Sequence, residues 1–395
     1  MKNVVGSPAR KANFFQRDKQ VEKITSRIVD GNNIHIAAPR RIGKTSILFH
    51  LLDNKIKNYI YVYVDTEAID NEQQFYKKIL KEILKNDEIK NSDHILQLLK
   101  AGNKFLKKIK SLKILGNGID FQDMEDQIDY KEELENLLSG LDFEDEVKLI
   151  LMIDEFPQTI QNIIIANNGQ TKEAIQFLQS NRDLRLNPDI NGTVIFIYTG
   201  SIGLNHTVSI IEGSAFINDI NSVEIDTLTT EEAKQLLAEL LLPKDLKIED
   251  DACDILLNKI SWLIPFYVQL AVQEIITIAT GKQLVTTEIV ERAFENIIAA
   301  RNNNHFDDYY TRLKKHFKNE DFDYANELLC IAAEKGKFEI AVAFDLMVKH
   351  KIKNKYNHIL EILMYDGYIN NLGNKDVYQF NSPILRMWWQ RFICK

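Results

Sequence analysis

Cysteine is scarce in this chain: Cys253, Cys330 and Cys394 are the only three in 395 residues, and none sits in a C-x-x-C pair. That spacing argues against a zinc site or a disulfide framework and fits a reducing cytoplasm. Long apolar runs are also missing. No stretch approaches the roughly 20 residues needed to span a bilayer, and residues 1–10 are polar, without the apolar centre of a secretion signal. A soluble, cytoplasmic protein with no membrane partner is expected. The eight histidines are scattered, and no peptidase or nuclease cluster is visible. Excess positive charge is lacking too: the formal net charge is −8. The whole molecule is therefore no electrostatic trap for nucleic acid. The charge is uneven, however. Residues 301–395 carry 15 Lys+Arg against 12 Asp+Glu, so any nucleic-acid contact falls to that part.

What is present is ordinary for a globular protein: 45% hydrophobic and 27% charged residues. The length suggests two or three domains at roughly 100–200 residues each, enough to bury a large core without disulfides or metals. Short β-branched or apolar runs at 34–38, 59–64, 147–153, 193–198 and 223–225 read as strands separated by helical patterns. That alternation predicts an α/β fold with a three-layer parallel sheet. After residue 228 the strands stop. Thr229-Thr230-Glu231-Glu232 reads as a helix start, helices run to about 300, and 320–395 reads as a winged-helix unit. The expected division is a core at 1–227, with an insertion at about 86–146 that holds a hairpin around Gly116-Asn117-Gly118, then a helical lid at 228–300 and a winged helix at 301–395.

Ala38-Pro39-Arg40-Arg41-Ile42-Gly43-Lys44-Thr45 matches [AG]-x4-G-K-[ST] and is followed by Ser46. The spacing has a physical reason. A loop leaving a buried strand turns its N–H groups toward phosphate oxygens, and the next helix adds its positive N-terminus. Gly43 permits close backbone approach, Lys44 neutralises β- and γ-phosphate oxygens, and the Thr45 hydroxyl coordinates Mg²⁺. The second signal is Leu149-Ile150-Leu151-Met152-Ile153-Asp154-Glu155, a strand ending in two carboxylates. Asp154 suits the Mg²⁺ shell, and Glu155 suits orienting or deprotonating the attacking water. Thr199-Gly200-Ser201 ends another strand. Thr199 or Ser201 is placed to reach toward the γ-phosphate from a strand lying between the two motifs. No Asn-Lys-x-Asp guanine signature occurs, which favours ATP.

With these motifs in hand, the chain resembles the archaeal-type ATPases of the AAA+/STAND group. The resemblance rests on Pro39 to Ser46, on Asn13-Phe14-Phe15-Gln16-Arg17-Asp18, on Thr199-Gly200-Ser201 and on residues 380–389, Phe-Asn-Ser-Pro-Ile-Leu-Arg-Met-Trp-Trp. It implies that Phe15 and Arg17 lie near the base and that Pro265 marks a lid turn near the nucleotide. It further implies that Arg182 or Arg185 reaches a neighbouring subunit's γ-phosphate, for which a permanently charged planar guanidinium is suited. The glycine that the family places before its lid proline is absent, and so is a Gly-x-x-Arg sensor. Mg²⁺-ATP is the implied cofactor and a second copy of the chain a possible partner.

Residues 356–365 carry Ile359, Leu360, Leu363 and Met364 at helical spacing, with Lys349, Lys351, Lys353 and Lys355 just before them. Those lysines suit phosphate contacts of a recognition helix, but no Arg or Asn pattern promises base readout. A protein-contact role for this module is the other reading. Trp388 and Trp389, beside Phe392, are expected to pack as core. The leading function is an ATP-driven switch, and the runner-up is a DNA-binding ATPase resembling origin-recognition or transposition ATPases.

Overall fold

The strand core forms where the sequence is apolar on both faces. Leu149, Ile150, Leu151, Met152 and Ile153 are all buried, so their strand requires cover on two sides. The computed structural model supplies it, describing residues 1–90, 128–141, 147–200, 203–352, 356–371, 373–374 and 376–394. The hairpin expected around Gly116-Asn117-Gly118, together with Ser201, Lys353 and Lys355, lies outside the described residues. Five strands, β1 (Asn33–Ala37), β2 (Tyr59–Asp65), β3 (Lys148–Asp154), β4 (Val194–Thr199) and β5 (Ile220–Glu224), form one sheet in the order β2-β3-β4-β1-β5. Every pairing is parallel. The expected α/β parallel sheet is what the chain builds, and β4 does lie between β1 and β3.

The described residues divide into two compact units: 17–38 with 47–225, and 1–16 with 39–46 and 226–395. The first holds the sheet. Its helix Glu72–Lys85 is capped by the Asn71 side chain, which accepts from the Gln74 amide at 2.9 Å. The helix buries Phe75, Tyr76, Ile79, Leu80, Ile83 and Leu84 on one face. Phe75 meets Phe177 edge-on with centroids 4.8 Å apart, and Phe156 meets Tyr198 at 4.6 Å. Burying each such ring contributes roughly 1.5–3 kcal/mol. Helix Tyr130–Ser139 places Leu134, Leu137 and Leu138 in this same core. The last part of the segment read as an insertion is therefore core structure.

The second unit carries helices Thr230–Leu241, Asp250–Ile260, Pro265–Ile278 and Thr287–Ile297 and a short parallel pair, β6 (Lys247–Ile248) with β7 (Leu284–Val285). Thr229 and Glu232 complete a reciprocal capping box at the first of these helices. Helices Asp307–His316 and Asn319–Lys335, strand β8 (Lys337–Glu339), helices Ile340–Lys349 and Tyr356–Tyr365, strands β9 (Ile369–Asn370) and β10 (Val377–Phe380) and helix Pro383–Phe392 follow. The three strands form an antiparallel sheet ordered β8-β10-β9. Trp388 and Trp389 are fully buried, the first stacked on Phe306 and the second edge-on to Tyr310 and Tyr368. This is the core packing expected of them.

The expectation of unpaired cysteines fails in this unit. Cys330 and Cys394 form a disulfide, with Cα atoms 5.4 Å apart. The two lie 64 positions apart in sequence, and only the packing of helix Pro383–Phe392 on helix Asn319–Lys335 brings them together. No local spacing motif announces such a pair. Cys253 is free and buried. Among the described residues no helix is long and apolar enough to cross a membrane.

Candidate nucleotide site

Parallel strands put their carboxyl ends on one edge of the sheet, where open α/β sheets bind ligands. In the first unit that edge collects Ala38, just past β1, the β3 terminus Asp154 and the β4 terminus Thr199. Asp154 is 3% exposed. Its carboxylate accepts hydrogen bonds from the Tyr63 hydroxyl at 3.1 Å, from the Glu155 amide at 3.2 Å and from the Thr199 hydroxyl. Burial, followed by the neighbouring Asp154 carboxylate, pushes the Tyr63 phenol far above its ordinary pKa and keeps it a donor. The Asp154 carbonyl accepts from both the amide and the hydroxyl of Thr66, at 3.0 and 2.9 Å. The Thr159 hydroxyl in turn donates to the Thr66 carbonyl at 2.8 Å. A buried carboxylate with its orientation fixed this way offers hard oxygen donors of the kind a divalent cation such as Mg²⁺ takes.

Glu155 follows in left-handed backbone, φ 60° and ψ 31°, immediately before helix Phe156–Ala166. Such a conformation costs a non-glycine residue on the order of 1 kcal/mol and concentrates at functional sites. Pro157 in the first helical turn sets the helix direction. The turn separates the two carboxylates: Asp154 stays within the strand edge, and Glu155 leaves it.

The phosphate loop belongs to the second unit. Gly43 has φ +103°, a region L side chains rarely adopt, and Arg41 sits at φ 62°. The Lys44 ammonium donates to the Pro39 carbonyl at 2.9 Å, across the mouth of the loop. The Ser46 hydroxyl accepts from the Ala9 amide at 2.9 Å, and Asn3 donates to the Gln269 carbonyl at 2.8 Å. These bonds tie the N-terminal arm along this unit. Phe15 is buried in the second unit and Arg17 in the first. Pro265 begins helix Pro265–Ile278, whose next residue, Phe266, lies under the Arg41 guanidinium at 4.0 Å.

Arg182 and Arg185 lie on one helix but have different surroundings. Arg185 is 2% exposed. Its Nε and one terminal nitrogen grip Asp219 at 2.7 and 2.9 Å, and other N–H groups reach Asn181 at 2.5 Å, Tyr198 at 3.4 Å and the Phe216 carbonyl at 2.7 Å. Burial alone would lower its pKa, but Tyr198 and Asp219 reverse that and hold it above its ordinary value. The expectation that Arg185 reaches a neighbour's phosphate is therefore corrected: all five donors are committed inside its own unit. Arg182 keeps 31% side-chain exposure, with a 3.3 Å bond to Asn218 and a 4.0 Å approach to Asp219.

Of the lysines expected to meet nucleic acid, Lys349 and Lys351 are among the described residues. Lys349 grips both Glu327 oxygens at 2.6 and 2.7 Å, beside His350 on the same carboxylate. Lys351 is exposed at φ 57°. Helix Tyr356–Tyr365 exposes Asn357, Glu361 and Tyr365, with no Lys or Arg.

Sequence reasoning missed Tyr63, Thr66 and Asp308. Tyr63 is an alternate residue of an aromatic strand. Its role depends on the register that sets Asp65 opposite Asp154, which no single-strand pattern reveals. Asp308 pairs with Arg40, and the Arg40 guanidinium holds its carboxyl below the usual range although burial alone would raise it. Nearby in the same unit, His316 is buried 3.8 Å from Asp366. Burial outweighs that carboxylate, Arg312, Arg40 and Lys315 act in the same direction as burial, and the imidazole sits below its ordinary 6.5. A folded-state pKa below the unfolded one means stability present above pH 6.5 that is lost as pH falls through the folded value. The melting temperature is expected to fall between about pH 7 and 5.5, and to fall less in His316→Asn. Equal slopes in the two proteins would assign the loss elsewhere.

No protein-family model and no curated protein matches the sequence. Solved structures do match the fold. A Walker-type ATPase of Pyrococcus abyssi superposes with a TM-score of 0.66 at 15% identity, covering 99% of this chain and 100% of that one. The ORC2 protein of Aeropyrum pernix, solved in complexes with ADPNP and ADP, gives 0.58 at 13% identity over 98% and 95%. The chain is thus similar to both proteins in fold along almost its full length.

Proposed function

We propose that this chain is a Mg²⁺-dependent ATPase of AAA+/STAND type that works as a nucleotide-driven switch. The observation that carries the reading is the strand order of the parallel sheet, which sets β4 between β1, the strand that leads in sequence into the Ala38 to Thr45 loop, and β3, which ends at Asp154 with Glu155 next. In this reading Lys44 neutralises the phosphates, Thr45 and Asp154 are the oxygen ligands of Mg²⁺, Glu155 handles the attacking water and Thr199 fixes Asp154. Phe15 and Arg17 are assigned to the base side, and Pro265 to a lid turn near the nucleotide, by resemblance alone. A fold neighbour that holds ADPNP and ADP supports the nucleotide class.

Switching would involve the lid at 228–300 and the winged helix at 301–395. A protein-contact role for the winged helix is favoured over DNA binding, because Lys349 is engaged by Glu327 and the exposed face of helix Tyr356–Tyr365 carries no cation. Titration of Mg²⁺-ADPNP into the purified chain tests the reading. Binding is expected, and Lys44→Ala is expected to weaken it roughly 10- to 100-fold, the loss of a charge-assisted contact. Equal affinity in both proteins would remove the phosphate loop from the account.

A further inference from the structure

The side chains of Arg40 and Arg41, midway along the phosphate loop, are engaged by the C-terminal half of their own unit. Arg40 forms an ion pair with Asp308 on helix Asp307–His316. Arg41 lies over the Phe266 ring at 4.0 Å and the Tyr309 ring at 5.7 Å. The same region is braced twice more. Tyr368 donates to the Tyr309 carbonyl at 2.7 Å. Gly367, at φ +81°, comes so close that a Cβ there would meet Trp262 at 3.0 Å and Pro39 at 3.6 Å. Three consecutive loop residues, Pro39 to Arg41, thus touch segments more than 200 positions away.

We propose that these contacts form a clasp through which the phosphate loop and helix Asp307–His316 sense one another: filling the phosphate site weakens the clasp, and breaking the clasp tightens nucleotide binding. The inference rests on the nucleotide-binding reading above and adds a regulator to it. The physical ground is competition for one cation. A bound triphosphate brings several negative charges to the loop that presents Arg40, and those charges compete with Asp308 for its guanidinium. Coupling between two ligands of one group is reciprocal, so the clasp opposes nucleotide as much as nucleotide opposes the clasp.

The test is a double-mutant cycle read by Mg²⁺-ADPNP affinity on the full chain, with hydrogen exchange alongside. Asp308→Asn keeps shape and removes charge. It is expected to tighten ADPNP roughly fivefold or more in the wild-type background, the lower range of allosteric couplings. In an Arg40→Gln background the same change is expected to have little effect. ADPNP is also expected to speed exchange of the amides of residues 307–316 in the wild-type chain. An equal gain from Asp308→Asn in both backgrounds would mean a simple field effect and overturns the clasp, as does exchange at 307–316 that ADPNP leaves unchanged or slows. Failure of ADPNP to bind any of these proteins sinks the clasp and the nucleotide reading together, whereas binding without coupling sinks the clasp alone.

Discussion

Glu155→Gln is expected to lower the turnover of Mg²⁺-ATP by about two to four orders of magnitude, the usual reach of a positioned general base. The Kd for Mg²⁺-ADPNP should stay within roughly threefold of wild type, since the change removes neither a phosphate ligand nor a metal ligand. Glu155 stands one residue past a carboxylate whose three hydrogen-bond donors leave it fixed to the sheet edge. The left-handed turn at φ 60° carries Glu155 away from that set. The amide is isosteric with the acid, so the turn, Pro157 and the helix start are preserved. What is lost is the basicity that draws a proton from water. Initial rates and an ADPNP titration on the same preparation check both halves. A variant with wild-type turnover would take the base role from Glu155, and one that no longer binds nucleotide would make Glu155 part of the binding surface instead.

The different placement of the adjacent carboxylates was legible in the sequence, because an apolar strand that ends in Asp-Glu leaves the first residue on the strand and the second beyond it. The Ala38 to Thr45 pattern was legible for a similar reason: eight consecutive residues carry all of it. Groups contributed from elsewhere were not. Tyr63 reaches Asp154 only through the β2–β3 register, and Asp308 reaches Arg40 across 268 positions. The disulfide between Cys330 and Cys394 has the same character, since helix packing made it and no motif marks it. The helical pattern at 356–365 was legible as a helix, but which residues face outward was decided by packing. That packing buries the apolar side and leaves Asn357, Glu361 and Tyr365 exposed.

The arginine pair shows most clearly how sequence position and physical role can part, and it yields the second large expected effect. Arg185→Ala is expected to destabilise the first unit by about 3–5 kcal/mol, the penalty for removing one partner of a buried ion pair. It takes from the Asp219 carboxylate and the Phe216 carbonyl the Arg185 donors they now accept from, and leaves the Asn181 oxygen with the Tyr198 hydroxyl as its remaining donor. Arg182→Ala should leave the melting temperature nearly unchanged, because its contacts are one long hydrogen bond and a 4.0 Å approach to Asp219 at the surface. Its effect belongs to the assembled protein. If Arg182 completes a neighbour's site, specific ATPase activity rises with wild-type concentration and the variant loses that rise, by tenfold or more given what such arginines supply. Thermal denaturation and rate-against-concentration curves on both variants separate the outcomes. An Arg185→Ala protein with wild-type stability would show that the five-bond network carries no net stabilisation. An Arg182→Ala protein that matches wild type at every concentration would leave hydrolysis to the single chain, with Glu155 and Lys44 acting without help from a second copy.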